Sequence, residues 1–356
     1  MITVSLADSK LVYLHNYFPQ KEAGLPKKVV VTGISGYLGM HVAKELLSEG
    51  FAVRGTIRAA SKEAGVREAL ASVVDTSNLE FVVVDLEKND NWGEAVRGAD
   101  TVMHVASPFI LREPKDEGDY LRPAVDGTRR VLDASLTEGV RRVVITSTYL
   151  TMAGHLYSET FGPSDRTPVD DPTINAYIRS KVAAENAAWE WAKEHPETLE
   201  LVTLHPGAIL GPPLSLEASG TSVSTLRDLV TGRSPGIPPI TVPMVDVRDV
   251  ARAHYEAMVS PVAAGQRYLL CQKTSTPYTQ VGQILRDAGY SKVPKRVLPK
   301  LLIRTMAPLS REVRAMKAFL GRQLIPDVSQ TVKDLNWDPR SLESMVLDTA
   351  RALTKE

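Results

Sequence analysis

Tyr177 and Lys181 stand four residues apart in a stretch bounded by Pro172 and Pro196, which the sequence predicts to be a helix. That spacing puts a phenol and an ammonium on one helical face. A phenol titrates near 10, so bringing it to about 7 needs about 4 kcal/mol of preference for phenolate. A unit charge about 4 Å away contributes about 4 kcal/mol at an effective dielectric of about 20, so Lys181 is sufficient in principle. The pair is therefore suited to moving a proton to or from an oxygen, and a third group should hold that oxygen. Hydroxyls cluster in Thr146-Ser147-Thr148 at the end of a predicted strand. Thr148 is the choice because it lies nearest the strand's carboxyl end, where ligands of doubly wound sheets bind, and Ser147 is the alternative.

A second motif points to a dinucleotide beside this proton-transfer pair. Thr32-Gly33-Ile34-Ser35-Gly36-Tyr37-Leu38-Gly39 directly follows the first predicted strand and opens a helix running to about Glu49. Gly33 permits a tight turn, Gly36 lets the backbone approach a pyrophosphate, and Gly39 lets helix and strand pack closely. The N–H groups of Ser35, Tyr37 and Leu38 would then face the anion. An NAD enzyme would carry an acid at the end of the second strand to bind the ribose hydroxyls. Here Ala52-Val53-Arg54-Gly55-Thr56-Ile57-Arg58 is followed by Lys62, and the first carboxylate is Glu63. Arg58 and Lys62 can meet a 2′-phosphate, so NADPH/NADP+ is the expected cofactor. Asp85-Leu86 ends the third strand, where a carboxylate can accept from the adenine amino group or cap a helix. Val105, Ala106 and Ser107 end the fourth strand with backbone able to lie against the cofactor, while His104 reads as a packed core histidine.

These groups must be positioned by a regular frame. Strands are predicted at 29–32, 52–56, 79–84, 101–105, 142–146 and 199–204, separated by longer amphipathic stretches. The runs are nearly continuously apolar, as parallel strands covered on both faces are, so the fold class is α/β with a Rossmann-type doubly wound parallel sheet. Residues 1–26 read as an extension with a possible short arm (Leu11, Val12, Tyr13, Phe18), 27–205 as the NADP-binding domain, and 206–356 as a smaller C-terminal substrate lobe, partly interleaved. Basic residues outnumber acidic ones between Lys292 and Arg322, which reads as a solvated helix face before an anion site.

Lys plus Arg and Asp plus Glu both count 42, so no overall basic field exists to hold nucleic acid or an anionic membrane. Neither a signal segment nor a run of about 20 apolar residues is present. Cys271, the single cysteine, and the absence of His/Cys clusters with zinc spacing fit a reducing compartment, the cytosol, and no metal. The expected partner is a small-molecule carbonyl substrate, met by a monomer or homodimer.

Taken together the residues resemble the extended short-chain dehydrogenase/reductases, and within them the dihydroflavonol reductase and cinnamoyl-CoA reductase-like aldehyde and ketone reductases. Over about 28–336 the matches include His104-Val105-Ala106-Ser107-Pro108, Pro123-Ala124-Val125-Asp126-Gly127-Thr128, Ser180-Lys181-Val182-Ala183-Ala184-Glu185, His205-Pro206-Gly207, Gly211-Pro212 and Val245-Asp246-Val247-Arg248-Asp249-Val250-Ala251. The resemblance implies a loop along the nicotinamide through Pro206, Ala208 and Ile209, and a phosphate contact from Ser222. Thr148 stands where most members have serine. Arg130 follows Gly127-Thr128 where many members carry asparagine one residue later, so a role of that amide is lost. Thr173-Ile174-Asn175-Ala176-Tyr177 replaces the run typical of cinnamoyl-CoA reductases, which disfavours a thioester substrate. A sugar-nucleotide epimerase or dehydratase would share fold and Tyr/Lys pair but usually retains NAD. A non-catalytic dinucleotide-binding regulator would not need the reacting groups, and Gly33-Ile34-Ser35-Gly36-Tyr37 fails the serine-hydrolase elbow pattern.

Overall fold

The structure, a computed structural model, describes residues 27–107, 118–196, 198–217, 220–306 and 319–354. The expected arm at Leu11 to Phe18 lies outside them. Seven strands form one sheet: β1 Lys28–Thr32, β2 Ala52–Ile57, β3 Leu79–Val83, β4 Thr101–His104, β5 Arg142–Thr146, β6 Glu200–Pro206 and β7 Arg267–Leu270. Their order across the sheet is β7-β6-β5-β4-β1-β2-β3, and every pairing is parallel. Both faces are buried, as the apolar runs require: Val29 and Val31 point into one core and Val30 into the other. The strand order reverses between β1 and β4, so their carboxyl ends open the crevice where such sheets bind ligands.

The first six strands agree with the sequence reading to within two residues at each end. β7 was not foreseen. Its run, Arg267-Tyr268-Leu269-Leu270, is too short for periodicity to decide, and it opens with a charge. Arg267 is only 4% exposed, and its Nε donates to buried Glu185 at 2.7 Å, so pairing makes the charge tolerable in a strand.

Residues beyond 206 also return to the sheet through the helix Val247–Val259, whose Arg252 reaches Glu45 and Glu49 on the helix Tyr37–Ser48. Three small strand pairs tie down the rest: Ala208–Leu210 with Met244–Asp246, Thr241–Val242 with Thr276–Pro277, and Thr160–Phe161 with Ile325–Pro326. Among the described residues, no helix is long and apolar enough to cross a membrane.

Candidate active site

β1 ends at Thr32, and Gly33 turns the chain with φ of +68°, a left-handed conformation that glycine adopts without strain. Gly36 N–H donates to Gly33 O at 2.9 Å, and Gly36 then caps the helix Tyr37–Ser48 with no side-chain acceptor on the first N–H groups. A Cβ on Gly39 would lie 2.3 Å from Gly33 O, so only glycine lets the helix close onto the turn. A Cβ on Gly33 would come 3.0 Å from both Cα and Cβ of Ala106. The glycine turn with Ser35 is thus laid against the end of β4, where Val105, Ala106 and Ser107 follow. Tyr37 and Leu38 turn their side chains into the core, and Tyr37 Oη donates to Gly211 O at 2.8 Å, so what they can present to a ligand is backbone.

A second helix, Thr221–Thr231, starts beside the first. Its cap, Gly220, also lacks a side-chain acceptor, and a Cβ there would lie 3.5 Å from the Tyr37 ring. Ser222 is the second residue of that helix. Two uncapped amino ends meeting at a glycine turn fit a group carrying two phosphates, because free N–H groups and helix dipoles favour anions there.

Past β2, Arg58 is exposed and makes no hydrogen bond or ion pair with a described residue. Lys62 lies 3.9 Å from Glu217, both exposed. Asp85 Oδ1 accepts the Glu87 N–H at 3.1 Å, so the local turn uses one oxygen of a carboxylate that was expected to meet adenine or cap a helix. Leu86 beside it is buried. Arg130 braces this loop, donating from Nη1 to Leu86 O at 2.6 Å and from Nε to Asn89 Oδ1.

The three residues expected to react lie on two elements, Tyr177 and Lys181 on a helix and Thr148 just past β5. Asn175 caps the helix Ala176–Glu194 by accepting the Ile178 N–H at 2.9 Å, which sets Tyr177 and Lys181 on its first turns. Lys181 Nζ donates to Ser107 Oγ and lies 5.8 Å from the centroid of the Tyr177 ring. Burial pulls the Lys181 ammonium down to about 8. Tyr177 is 52% exposed, yet the protein around its hydroxyl raises its pKa above the usual value. The Lys181 ammonium is turned to Ser107, and Tyr177 is protonated at neutral pH.

The two candidate hydroxyls differ in their partners. Ser147 Oγ donates to Glu185 Oε2 at 2.7 Å, so its proton is committed. Thr148 Oγ1 accepts the Leu150 N–H at 3.4 Å and donates to no described residue. A cavity lined by Leu86, His104, Ser107, Thr128, Ser147, Lys181 and Glu185 joins the ends of β4 and β5 to the Tyr177 helix. His104 is buried, shares a proton with Thr32 Oγ1 at 2.9 Å and is held down to about 4, chiefly by burial, as a packed neutral histidine should be.

A buried polar network beneath this centre was not read from the sequence. Glu185, 4% exposed, sits one helical turn after Lys181 and joins Ser147 to Arg267. His205 Nδ1 lies 3.2 Å from Thr148 O, and since a carbonyl only accepts, that nitrogen carries the proton. Nε2 then accepts from Thr203 Oγ1 at 2.9 Å. The i+4 spacing of Lys181 and Glu185 was the available signal, but nothing in the sequence named the partner on β7. Pro206 O accepts the Tyr149 N–H at 3.1 Å and Ala208 N–H donates to Pro243 O at 2.8 Å, so the segment with Ile209 runs next to Thr148-Tyr149.

Residues 29–271 match the profile of the NAD dependent epimerase/dehydratase family. Ketoreductase azaE of Aspergillus niger is 34% identical over 68% of this chain and 77% of its own length. Cinnamoyl-CoA reductase 1 of Arabidopsis thaliana is 30% identical over 93% and 90%. The crystal structure of yeast methylglyoxal/isovaleraldehyde reductase Gre2 complexed with NADPH superposes with a TM-score of 0.75, 25% identity, and coverage of 92% of this chain and 98% of the other.

Proposed function

We propose, from the premise that this chain belongs to the NAD dependent epimerase/dehydratase family, that it is an NADPH-dependent reductase of aldehydes or ketones in which Tyr177 gives the proton. The extended short-chain reductase resemblance is borne out by the relatives, and NADPH is the cofactor. The observation that supports the finer reading is the pairing of Tyr177 with Lys181 on one helix, the ammonium 5.8 Å from the Tyr177 ring centroid, with the Thr148 hydroxyl at the end of β5 donating to no described residue.

The glycine turn and the helix starts at Tyr37 and Thr221, with Ser35 and Ser222, would hold the diphosphate. Arg58 and Lys62 would hold the 2′-phosphate, and Asp85 and Leu86 the adenine. Val105, Ala106, Ser107 and Lys181 would hold the nicotinamide ribose side, with Pro206, Ala208 and Ile209 along the ring. NADPH, when bound, supplies a hydride to a carbonyl carbon. As negative charge develops on the carbonyl oxygen, Tyr177 Oη gives up its proton to it, and Thr148 Oγ1 donates a hydrogen bond to the same oxygen. Lys181 keeps a positive charge on the Tyr177 side of the site and thereby stabilises the phenolate left behind. The lobe built mainly from 206–356 takes the remainder of the substrate.

An NADPH-oxidation screen over aldehydes, diketones and aromatic ketones tests this, with NADH and sugar nucleotides as controls. Turnover of a sugar nucleotide with no carbonyl reduction would replace the reductase by an epimerase or dehydratase, and no turnover at all would point to a regulator.

Cofactor choice is tested separately. Arg58 has no partner among the described residues, and a charge-assisted hydrogen bond contributes about 1.5–3 kcal/mol, so Arg58→Ala should lower kcat/KM for NADPH by about ten- to a hundredfold. NADH should be nearly unaffected. Lys62→Ala should have the same sign and a smaller size, because Glu217 already offsets part of its charge and salt screens a flexible ammonium. Equal losses with both cofactors in Arg58→Ala would show that Arg58 supports its loop and does not read the phosphate.

A further inference from the structure

Thr148 and Tyr177 lie on different elements, a strand end and a helix start, and their mutual placement depends on the joint between them. That joint is the single helical turn Leu150–Ala153 with Gly154 behind it. A Cβ on Gly154 would come 2.7 Å from Ile178 Cγ2, next to Tyr177, and 2.5 Å from Leu150 O, so the turn is wedged against the first turn of the Tyr177 helix. One turn of helix has almost no stability of its own, because its last carbonyls have no partner within it.

Those carbonyls are held from outside. Thr167 Oγ1 donates to Leu150 O at 2.8 Å, and Thr167 N–H to Thr151 O at 2.9 Å. Arg322 donates from Nη1 to Ala153 O at 3.1 Å and from Nη2 to Gly154 O at 2.7 Å. Its guanidinium is buried over the rings of Tyr157, at 5.3 Å, and Phe319, at 5.9 Å. The residues after it are laid beside the same region by backbone bonds, Gln323 N–H to Tyr157 O at 2.6 Å and Ile325 N–H to Glu159 O at 3.1 Å.

We propose that Arg322 is a positioning residue for the reaction: its planar fork on the Ala153 and Gly154 carbonyls holds the turn after Thr148 against the start of the Tyr177 helix, so the C-terminal lobe sets the geometry of the reacting pair. The inference rests on the reading of Tyr177 and Thr148 given above. A cation at the carbonyl end of a helical turn is favourable in itself, but only a guanidinium meets two carbonyls with a rigid fork.

The test compares Arg322→Lys with Arg142→Lys, using Tyr177→Phe as reference. Arg142 is also fully buried and caps carbonyls, those of Ala257, Met258 and Ser260, but from the opposite end of β5 to Thr148. Arg322→Lys should lower kcat about tenfold, as a small misplacement of reacting groups does, and leave NADPH affinity by calorimetry unchanged. Arg142→Lys should lower Tm and keep kcat per folded enzyme. Arg322→Met, which also removes the charge, should deepen the kcat loss; if it does not fold, the lysine variant still decides. Wild-type kcat in Arg322→Lys, or a kcat loss in Arg142→Lys as large as that in Arg322→Lys, overturns the proposal. Wild-type turnover in Tyr177→Phe would instead remove the reading beneath it.

Discussion

Turnover of Tyr177→Phe is expected to fall by about a hundredfold or more at saturating NADPH, the range typical of a lost general acid. The substitution deletes one hydroxyl and little else. About half of the Tyr177 surface, 52%, is open, so no core cavity forms, and the Ser180 Oγ bond that stabilises this turn goes to the Tyr177 carbonyl at 2.8 Å. Tm and NADPH affinity should stay at wild-type values. Because the protein packed around its hydroxyl raises the Tyr177 pKa, the acid form persists through neutral pH, and the wild-type reduction should show no limb there arising from this group. Single-turnover reduction with NADPH already bound isolates the step. An unchanged rate in that experiment would sink the proposed mechanism.

The parts of this molecule that were legible in the sequence are those whose causes are local. β1 and its glycine turn are one continuous stretch, and Gly39 is dictated by a carbonyl six residues earlier, a contact that any strand-to-helix closure of this kind produces. Tyr177 and Lys181 share a face because a helix has a fixed period. What stayed hidden depends on segments distant in the chain. Ser147 and Thr148 are neighbours of similar chemistry, and the choice between them rests on Glu185, 38 residues away from Ser147, which takes the Ser147 proton. β7 was missed because its charge is matched by that same Glu185 across 82 residues, which no window of sequence displays. Arg322 caps carbonyls 169 and 168 residues before it, and its basic neighbourhood in sequence suggested only a solvated surface. The direction of the Lys181 side chain was hidden for a related reason. Spacing fixed the face but not the direction of a flexible side chain, and Ser107, on β4's continuation, drew the ammonium toward itself.

That direction gives Lys181 two separable tasks, and Lys181→Met should expose both. Turnover should fall by about a hundredfold or more, because the phenolate left after proton transfer would lose its nearest cation. NADPH affinity should fall as well, which Tyr177→Phe should not show, because Lys181 and Ser107 form one hydrogen-bonded unit at the end of β4 beside the glycine turn. The pH dependence supplies the discriminating sign. Burial lowers the Lys181 pKa to about 8, so the ammonium is present below that pH and is lost as pH rises through it. The value of kcat/KM reports groups of the free enzyme, so the wild-type profile should be flat below about 8 and fall above it. Tyr177 cannot produce that limb, since its own pKa is raised rather than lowered. In Lys181→Met the limb should vanish, leaving a low, flat profile through the same range. A limb that persists unchanged in the variant, or an NADPH affinity equal to that of Tyr177→Phe, would take the charge on Lys181 out of both binding and chemistry and leave it only as a prop for Ser107.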